Sequence, residues 1–475
     1  MLPLISIPSI IEHYAPNFES IFSPSEYQNF KKYLSGLLVS DNKTVEGINR
    51  LFTSEKQDQS TLNRFLTASD YKASELNQLR LDLLNTQEAT QIKSNGAYGG
   101  VLGLDDTLLT HYGNKFEKIA NLKDHVTGQY VWAHNLVNLH YSDDQTDFPT
   151  YFQLWEPISN DDLEVGLLAA NITIKDSKRN LKENEPKKWR NHLKYLYRNN
   201  QEREEVQAVY KTKIHIGRDL LKQFYSQYPD AEIPVCFDKW FTCPWFCKFI
   251  DNQLKQKYVA GIKSNEKVMR KGSKKITLTE FVEELKQQHF SNMKTNGKAL
   301  FVKTTIKYKG KKEVFYNYCK THTICGYGKQ KLLISFQKED LSGSARIFIS
   351  NCLTWRVQQI TRVGRHRWPV EEYHKEGKAE GLNQYQIRNF RGIYKHIAFV
   401  ALTYSLLKYA QHDQAFLDTL QTQLDTSIED TLPFWRRTIQ AQGLWVIIEW
   451  IQNQIGQGST LQEIFVELKP AFGLV

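Results

Sequence analysis

Apolar and polar residues follow one another in this chain with a spacing that changes several times. In the first 95 residues apolar side chains recur at helical intervals, as at Tyr27, Phe30 and Tyr33, which predicts an all-helical region. Two short amphipathic segments, 43–52 and 61–66, are joined there by a polar turn. That arrangement is typical of a helix-turn-helix and equally of an ordinary helical hairpin.

After residue 95 the helical spacing gives way to short apolar runs, most of them bounded by turn residues. The segments predicted as strands are 101–105, 130–139, 150–155, 233–237 and 258–262. An amphipathic helix at 214–225 precedes the fourth of them, and the charged segment 175–205 is predicted to be solvated and partly helical. This order of elements indicates an α/β layer.

The spacing changes twice more before the C-terminus. Residues from about 265 to 350 form a β-rich block, with alternating or apolar runs at 299–308, 314–319 and 331–335. From residue 350 onward the pattern is helical. Parts of one α/β unit are therefore predicted to flank an inserted β block.

The net charge of this 475-residue chain indicates which kinds of partner it binds. Its formal net charge is +10 and its pI about 9.0, which favours nucleic acid or an anionic membrane face. No apolar stretch reaches the roughly 20 residues that cross a bilayer, and the N-terminus lacks the features of a signal peptide. The six cysteines follow no zinc pattern, which is typical of reduced thiols in a cytoplasm. We therefore expect a cytoplasmic protein that binds nucleic acid.

Three acidic residues are candidates for chemistry. Asp105 and Asp238 each follow a short apolar run that is predicted as a strand. Alone, an aspartate after a strand is more often a turn or helix cap. If both strands belong to one sheet, however, the carboxylates can lie side by side, and such pairs usually need a cation or a shared proton.

The third acid lies in a denser motif, Arg365 to Lys378. Pro369 favours the first turn of a helix, so a helix is predicted to begin there. Glu371 and Lys378 are seven residues apart and therefore share one helical face, with Arg367 just before the helix. Taken alone, this pattern also fits a solvated helix with charge pairs.

Together these motifs resemble the signature of bacterial insertion-sequence DDE transposases. That family's pattern is Tyr, two residues, Arg, three residues, Glu, six residues, Lys, and Arg367, Glu371 and Lys378 match it in register. Asp105 and Thr107 resemble the family's first acid motif, Asp-x-Thr. Asp238, followed two residues later by Trp, is similar to its second.

The resemblance also chooses between neighbouring acids and exposes one departure. The Asp-x-Thr register favours Asp105 over Asp106, and the spacings to arginine and lysine select Glu371 over Glu372. The family's tyrosine, which helps to hold the phosphate at the transposon end, falls at Gly364 in this chain.

For the fold, the resemblance implies an α/β protein with an RNase H-like mixed-sheet catalytic core, interrupted by a β-rich insertion. It predicts a helical N-terminal DNA-binding domain and a helical C-terminal region. The expected segments are the N-terminal domain (1–95), the core (96–264 and 351–410), the insertion (265–350) and the C-terminal region (411–475).

For function, the resemblance implies a DNA transposase. Asp105, Asp238 and Glu371 would bind two Mg²⁺ ions, or Mn²⁺ in their place, and the enzyme would cleave its element's ends and join the 3′ ends to target DNA. The partners implied are double-stranded DNA, as terminal inverted repeats and target, and a second copy in a nucleoid-associated homodimer. The residues expected to contact DNA are Arg365, Arg367, Trp368, Lys378, Lys271, Lys274 and Lys275.

Two other classes of protein stay open at this point. One is another metal nuclease on the same core, such as a resolvase or a phage nuclease. The other is a non-enzymatic DNA-binding protein derived from a transposase. The motif around Glu371 argues against the first, and the presence of all three acids argues against the second.

Overall fold

The structure, a computed structural model, describes residues 2–53, 58–270, 272, 274–429 and 431–474. In these residues twelve strands form one mixed sheet that is surrounded by helices, which confirms the predicted mixed α/β class. The strands are β1 (Val101–His111), β2 (Ala120–Lys123), β3 (Tyr130–Ser142), β4 (Asp147–Trp155), β5 (Val235–Phe237), β6 (Tyr258–Gly261), β7 (Lys267–Met269), β8 (Lys275–Thr277), β9 (Val302–Tyr308), β10 (Lys311–Ile324), β11 (Gly328–Phe336) and β12 (Arg346–Ser350).

Helices flank the sheet on both faces and make up both ends of the described chain. The first fourteen are α1 (Ser9–Tyr14), α2 (Pro24–Val39), α3 (Val45–Leu51), α4 (Gln59–Thr67), α5 (Ala73–Asn85), α6 (Asn160–Ala169), α7 (Leu181–Asn184), α8 (Pro186–Asn200), α9 (Glu204–Val209), α10 (Lys213–Gln227), α11 (Pro244–Lys248), α12 (Leu278–Asn296), α13 (Val357–Arg365) and α14 (Trp368–Ala379). They are followed by α15 (Phe390–Ala410), α16 (Gln414–Leu424), α17 (Leu432–Gly456) and α18 (Leu461–Leu468). None of the helices in the described ranges is both long enough and apolar enough to cross a membrane.

The centre of the sheet combines antiparallel and parallel pairing. β1 pairs antiparallel with β3, and β3 pairs antiparallel with β4. On its other side β1 pairs in parallel with β5, and β5 in parallel with β6. The spatial order is therefore β4, β3, β1, β5, β6, which brings the carboxyl ends of β5 and β6 to the same edge of the sheet.

The β-rich block is continuous with this sheet. Its last strand, β12, pairs antiparallel with β6, and β11 and β10 follow outward in the same sheet. The block also contains the 19-residue helix α12, which the sequence prediction missed. Phe281, Leu285 and His289 recur every four residues on the buried side of α12, so the helical signal was present but lay within a segment dominated by strands.

A second insertion, α6–α9, separates β4 from α10. These four helices have a small hydrophobic core of their own, which includes Leu167, Trp189, Leu193 and Val206. The segment had been predicted to be solvated and partly helical. Its residues are helical over much of the segment and most of its charged side chains face solvent, and the helices also bury an apolar face that the sequence did not predict.

The N-terminal helices share their core with a helix from the other end of the chain. Phe30 packs against Phe399 of α15 with ring centroids 5.9 Å apart. The hydroxyl of Tyr33 lies 2.7 Å from Nδ1 of His396, also on α15. Both helices of the candidate helix-turn-helix, α3 and α4, bury apolar side chains in this same core.

Candidate active site

Asp105 and Asp238 lie on neighbouring strands. In the parallel pairing of β1 with β5, Leu104 is opposite Phe237, so the next residues are the two aspartates. Burial raises the pKa of Asp105 to about 7; the guanidinium of Arg367 opposes this, and the carboxylate of Asp238 adds to it. Two acids in this arrangement repel each other, and a cation between them would relieve the repulsion.

The strand that carries Asp105 is longer than the sequence predicted. We expected it to end at Asp105, but β1 continues to His111 because residues 105–111 stay paired with β3. Only the pairing with β5 ends, at Leu104. Asp105 therefore lies in the middle of a strand, at the point where one edge of that strand becomes free.

Asp105 and Asp106 face opposite sides of the sheet, because successive residues of a strand alternate. Asp105 faces α14, where Nη1 of Arg367 lies 3.3 Å from its Oδ2. Asp106 faces α10, and its Oδ2 accepts hydrogen bonds from Lys213 of α10 at 2.8 Å and from Asn135 of β3 at 2.7 Å. Asp106 is thus already paired, and Asp105 lies on the same side of the sheet as the helix that carries Glu371.

Glu371 lies in the first turn of α14, with Pro369 at the start of the helix, as the sequence predicted to within one residue. Its Oε1 is 2.5 Å from Nη2 of Arg367. The same guanidinium contacts Asp105, so one positive group bridges two of the three acids. Burial works against the charge of Arg367, but Glu371 and Asp105 outweigh it and raise its pKa.

Among the described residues, no group of three or more His, Cys, Asp or Glu side chains is placed to hold a metal ion. Asp238 instead uses Oδ1 to accept backbone hydrogen bonds from Trp240 at 2.8 Å and Phe241 at 3.3 Å. The donor set is nonetheless made only of carboxylate oxygens, which suit Mg²⁺. Because a guanidinium already lies between Asp105 and Glu371, the residues present fit a cation at this position.

A groove of about 1160 Å³ opens beside these residues, between β11–β12 of the insertion and α13–α14. Asp238, Arg365, Arg367 and Trp368 line it. Trp368 is 45 % exposed, which is unusual for so large an apolar side chain. The groove thus has one of the two aspartates, Asp238, in its wall, together with two arginines and an exposed aromatic ring.

The other predicted DNA contacts lie in differing environments. Arg365 is engaged by Glu313, at 2.8 Å, and its guanidinium lies 3.9 Å from the ring centre of Tyr308. Lys378 lies in the last turn of α14, and burial lowers its pKa despite the nearby Asp124. Lys274 and Lys275 are exposed at the β7–β8 hairpin. Lys271 lies outside the described residues.

Sequence reasoning did not single out Lys213, the first residue of α10. Its Nζ pairs with Asp106 and lies 5.0 Å from the ring centre of Trp240, two residues after Asp238. Lys213 therefore contacts a residue of each of the first two acid motifs, from the face of the sheet that α10 covers. The sequence contained no signal for this, because one lysine at a helix start is common.

A buried polar cluster lies behind α14 around Asp147, whose side chain is only 1 % exposed. One of its carboxylate oxygens, Oδ2, lies 2.9 Å from Nζ of Lys309 and 3.1 Å from Nζ of Lys408, and its Oδ1 lies 3.3 Å from Nε2 of His140. Burial alone would raise the pKa of Asp147, but Lys408 and Lys309 outweigh it and hold the pKa well below its usual value.

Lys309 joins the inserted β block to the candidate active site. It lies in the turn between β9 and β10, and its Nζ is also 3.6 Å from Oε2 of Glu372, next to Glu371. The tip of this hairpin thus reaches from the insertion to the helix of the third acid. Lys309 therefore pairs with acids inside the fold rather than projecting into solvent.

Gly364, where the sequence resemblance would place a tyrosine, lines the groove. A Cβ added there would lie 3.7 Å from atoms of Phe348 and Val259, which is ordinary contact. We therefore expect Gly364→Ala to keep the fold and to stabilise it by up to about 1 kcal/mol through helix propensity. Thermal unfolding measures this.

A contrasting glycine serves as control. In α10, a Cβ on Gly217 would lie 2.7 Å from Cδ2 of Leu104 in the core. Gly217→Ala should therefore lower the melting temperature. If Gly364→Ala lowered the melting temperature as much as Gly217→Ala does, there would be no room for a side chain at position 364.

Fold and site together define a mixed α/β protein with acids on adjacent strands and a third on a facing helix. A sequence family described as "DDE superfamily endonuclease" matches residues 17–277, more than half of the chain. The chain belongs to this family, which confirms the predicted DDE membership. The matched range includes Asp105 and Asp238, and Glu371 lies beyond it.

Among solved structures, the chain is similar to a piggyBac transposase in a synaptic complex with hairpin DNA, determined by cryo-electron microscopy. The sequence identity is 10 % and the TM-score 0.41, and the alignment covers 98 % of this chain and 82 % of that one. No curated protein matches the chain.

Proposed function

We propose that this protein is a cut-and-paste DNA transposase of the bacterial insertion-sequence type, with Asp105, Asp238 and Glu371 as its catalytic acids. The observation that carries the proposal is the convergence of Asp105 and Glu371 on one guanidinium, with Asp238 on the strand beside Asp105. Membership of the DDE superfamily endonucleases supports a nuclease.

The order of the central strands supports an RNase H-like core. Three antiparallel strands, β4, β3 and β1, are followed by two parallel ones, β5 and β6. One face of this sheet is covered by α10 and the other by α14, so the third acid approaches the first two from the side of the groove.

In this proposal the three acids would hold two Mg²⁺ ions, or Mn²⁺ in their place. When bound, the ions would supply Lewis-acid charge to the attacking and leaving oxygens of an in-line displacement. Arg367 then has to leave the position it shares with Asp105 and Glu371. That movement would free its guanidinium for a DNA phosphate at the mouth of the groove.

The chain's own residues position the DNA. Trp368 offers a stacking surface for a base displaced near the cut, and Arg365 and Lys378 offer positive charge to the backbone. Lys271, Lys274 and Lys275 would extend the contact at the insertion. Hydrolysis adds water across a P–O bond and leaves a 3′-hydroxyl. In the joining step this hydroxyl forms a new P–O bond to target DNA, and the target's own 3′ oxygen leaves.

The reaction also implies its setting. Two ends must be cut together, so a homodimer bound to terminal inverted repeats and target DNA is expected. We propose that the helices of 1–95 recognise the ends. Such a protein would work in the bacterial cytoplasm, in association with the nucleoid.

The test of this proposal follows cutting and joining separately. The full chain is incubated with labelled duplex carrying the inverted repeats that flank its gene, plus a target plasmid. With Mg²⁺ we expect nicked ends and joined products, and with EDTA neither. Binding, measured by gel shift, should persist in EDTA.

The outcomes separate the alternatives. Cutting without joining would favour another nuclease on the same core. Binding without either step, with Mg²⁺ or Mn²⁺ present, would favour a DNA-binding protein derived from a transposase. Undiminished cutting in EDTA would contradict the metal dependence.

A further inference from the structure

Helix α8, in the second insertion, carries an unbalanced row of positive charge. It contains five Lys or Arg residues, and no Asp or Glu, in fifteen residues. One of the five, Lys188, pairs with Glu185 just before the helix. No ion pair is formed by the other four within the described ranges; these are Lys187, Arg190, Lys194 and Arg198.

These four cations lie on one face of α8. Their spacings of three, four and four residues place them in one sector of the helix. Trp189, which is 1 % exposed, and Leu193, which is fully buried, lie on the opposite side and anchor α8 in the core of the insertion. The four charged residues are all exposed.

One acid of the same insertion is already used by other cations. Glu164 pairs with Lys182 at 2.8 Å and with Arg179 at 3.8 Å. A surface that serves solubility alone usually mixes both signs of charge. The row on α8 instead keeps like charges at helical spacing, which disfavours the helix, and the positive charges of Arg190 and Arg198 add to burial in lowering the pKa of Lys194.

The row is held in a fixed relation to the candidate active site. The hydroxyl of Tyr197, on the buried side of α8, donates to the carbonyl oxygen of Tyr210 at 2.6 Å and lies 3.0 Å from Nδ1 of His215 on α10. The first residue of α10, Lys213, pairs with Asp106 beside Asp105. The basic helix is therefore fastened to the helix that lies behind the acid-bearing strand.

We infer that this face of α8, which we call the α8 row, binds the phosphate backbone of duplex DNA and so forms a docking surface outside the groove. The row is about 16 Å long, since α-helices rise about 1.5 Å per residue. Along that length one DNA strand presents about five phosphates. Tyr195, 60 % exposed, and the exposed Asn191 and Asn199 lie beside the row and can donate further hydrogen bonds to phosphate.

The inference rests on the proposed function only for the kind of partner, and its test does not require catalysis. The test variant replaces Lys187, Arg190, Lys194 and Arg198 with Gln in the full chain. The matched control removes the same charge from four exposed lysines outside the second insertion: Lys255 and Lys257, just before β6, Lys320 on β10 and Lys329 on β11. Circular dichroism and thermal unfolding verify that both variants fold.

The readout is the affinity for a 40-base-pair duplex of arbitrary sequence, measured by fluorescence anisotropy from 50 to 300 mM salt. Each phosphate contact contributes about −0.9 to the slope of log affinity against log salt. We expect the α8 variant to have a slope about two to four units less steep, and an affinity at 0.1 M salt about 50-fold lower or more. The control should behave as the unaltered protein does.

An unchanged slope in the α8 variant, or an equal change in the control, would overturn the inference. A double variant, Arg190→Glu with Lys194→Glu, reverses the charge at two positions and should weaken DNA binding more per changed residue than the fourfold Gln variant does. If the fourfold variant does not fold, the double variant provides the test. If the α8 variant lost binding to phosphatidylserine vesicles but kept its DNA binding, the partner of the α8 row would be a membrane and not DNA.

Cleavage assays distinguish this inference from the proposed function. At low salt and saturating DNA the α8 variant should cleave at the unaltered rate, because the acids are untouched. If neither protein cleaves but the slopes differ, the docking surface stands and the nuclease proposal fails. If both proteins cleave and their salt slopes agree, the nuclease proposal stands and the docking surface fails.

Discussion

Replacing Asp238 with alanine should reduce DNA cleavage by about a thousandfold or more while leaving DNA binding intact. Metal ligands and their ions supply several kcal/mol of transition-state stabilisation, and about 4 kcal/mol corresponds to a thousandfold in rate. Asp105→Ala and Glu371→Gln should have the same effect, since the three acids act as one unit. Single-turnover cleavage of labelled end duplex measures the loss, and gel shift measures binding.

Asp105 and Glu371 each have an acidic neighbour that serves as a matched control. Asp106→Asn changes a carboxylate that faces α10 and pairs with Lys213. Glu372→Gln changes a side chain 3.6 Å from Lys309, one residue after Glu371. Both controls should keep at least about a tenth of the cleavage rate, because neither group reaches the reacting phosphate in this arrangement. Full activity in Asp105→Ala together with loss in Asp106→Asn would reverse the assignment.

Replacing Asp147 with asparagine should destabilise the protein by about 3 kcal/mol, because it leaves two lysines without their shared counter-charge. Lys408 and Lys309 are 16 % and 29 % exposed, so water relieves part of the cost. Equilibrium urea unfolding at pH 7 measures the effect. The exposed Asp176, paired only with Arg179 at 3.1 Å, is the control, and Asp176→Asn should cost less than about 1 kcal/mol.

The same variant should change how stability depends on pH. The pKa of Asp147 is held well below its usual value in the folded protein, so its contribution is present above about pH 4, the pKa of an unfolded aspartate. It is lost as the pH falls below that value toward the folded pKa. Stability of the unaltered protein should therefore fall between pH 5 and pH 3 more steeply than that of Asp147→Asn. Parallel curves would show that folding does not lower the pKa of this carboxyl.

The sequence predicted well those features that depend on local signals. Pro369 marks the start of α14, and the seven-residue spacing of Glu371 and Lys378 places them on one face of that helix. The apolar runs before Asp105 and Asp238 are strands of one sheet. These features need only neighbouring residues to be recognised.

Features that depend on the tertiary arrangement were harder to predict. Alternation along β1 puts Asp105 and Asp106 on opposite faces, but the sequence does not say which helix covers which face. Arg365 was expected to contact DNA, and only the fold reveals Glu313 beside it. Helix α8 lies in the segment 175–205 that was predicted to be partly helical, but its buried apolar face was not predicted, because the apolar residues at intervals of four lie among many charged ones.

The shared core of the two chain ends has a consequence for biosynthesis. Phe30 and Tyr33 both contact α15, whose residues leave the ribosome more than 300 positions later. At about 5 to 20 residues per second, the first helices wait roughly 15 to 70 s with their apolar faces uncovered. The nascent chain should therefore bind chaperones during translation, and a release factor that acted before residue 390 would leave a product unable to bury its own beginning.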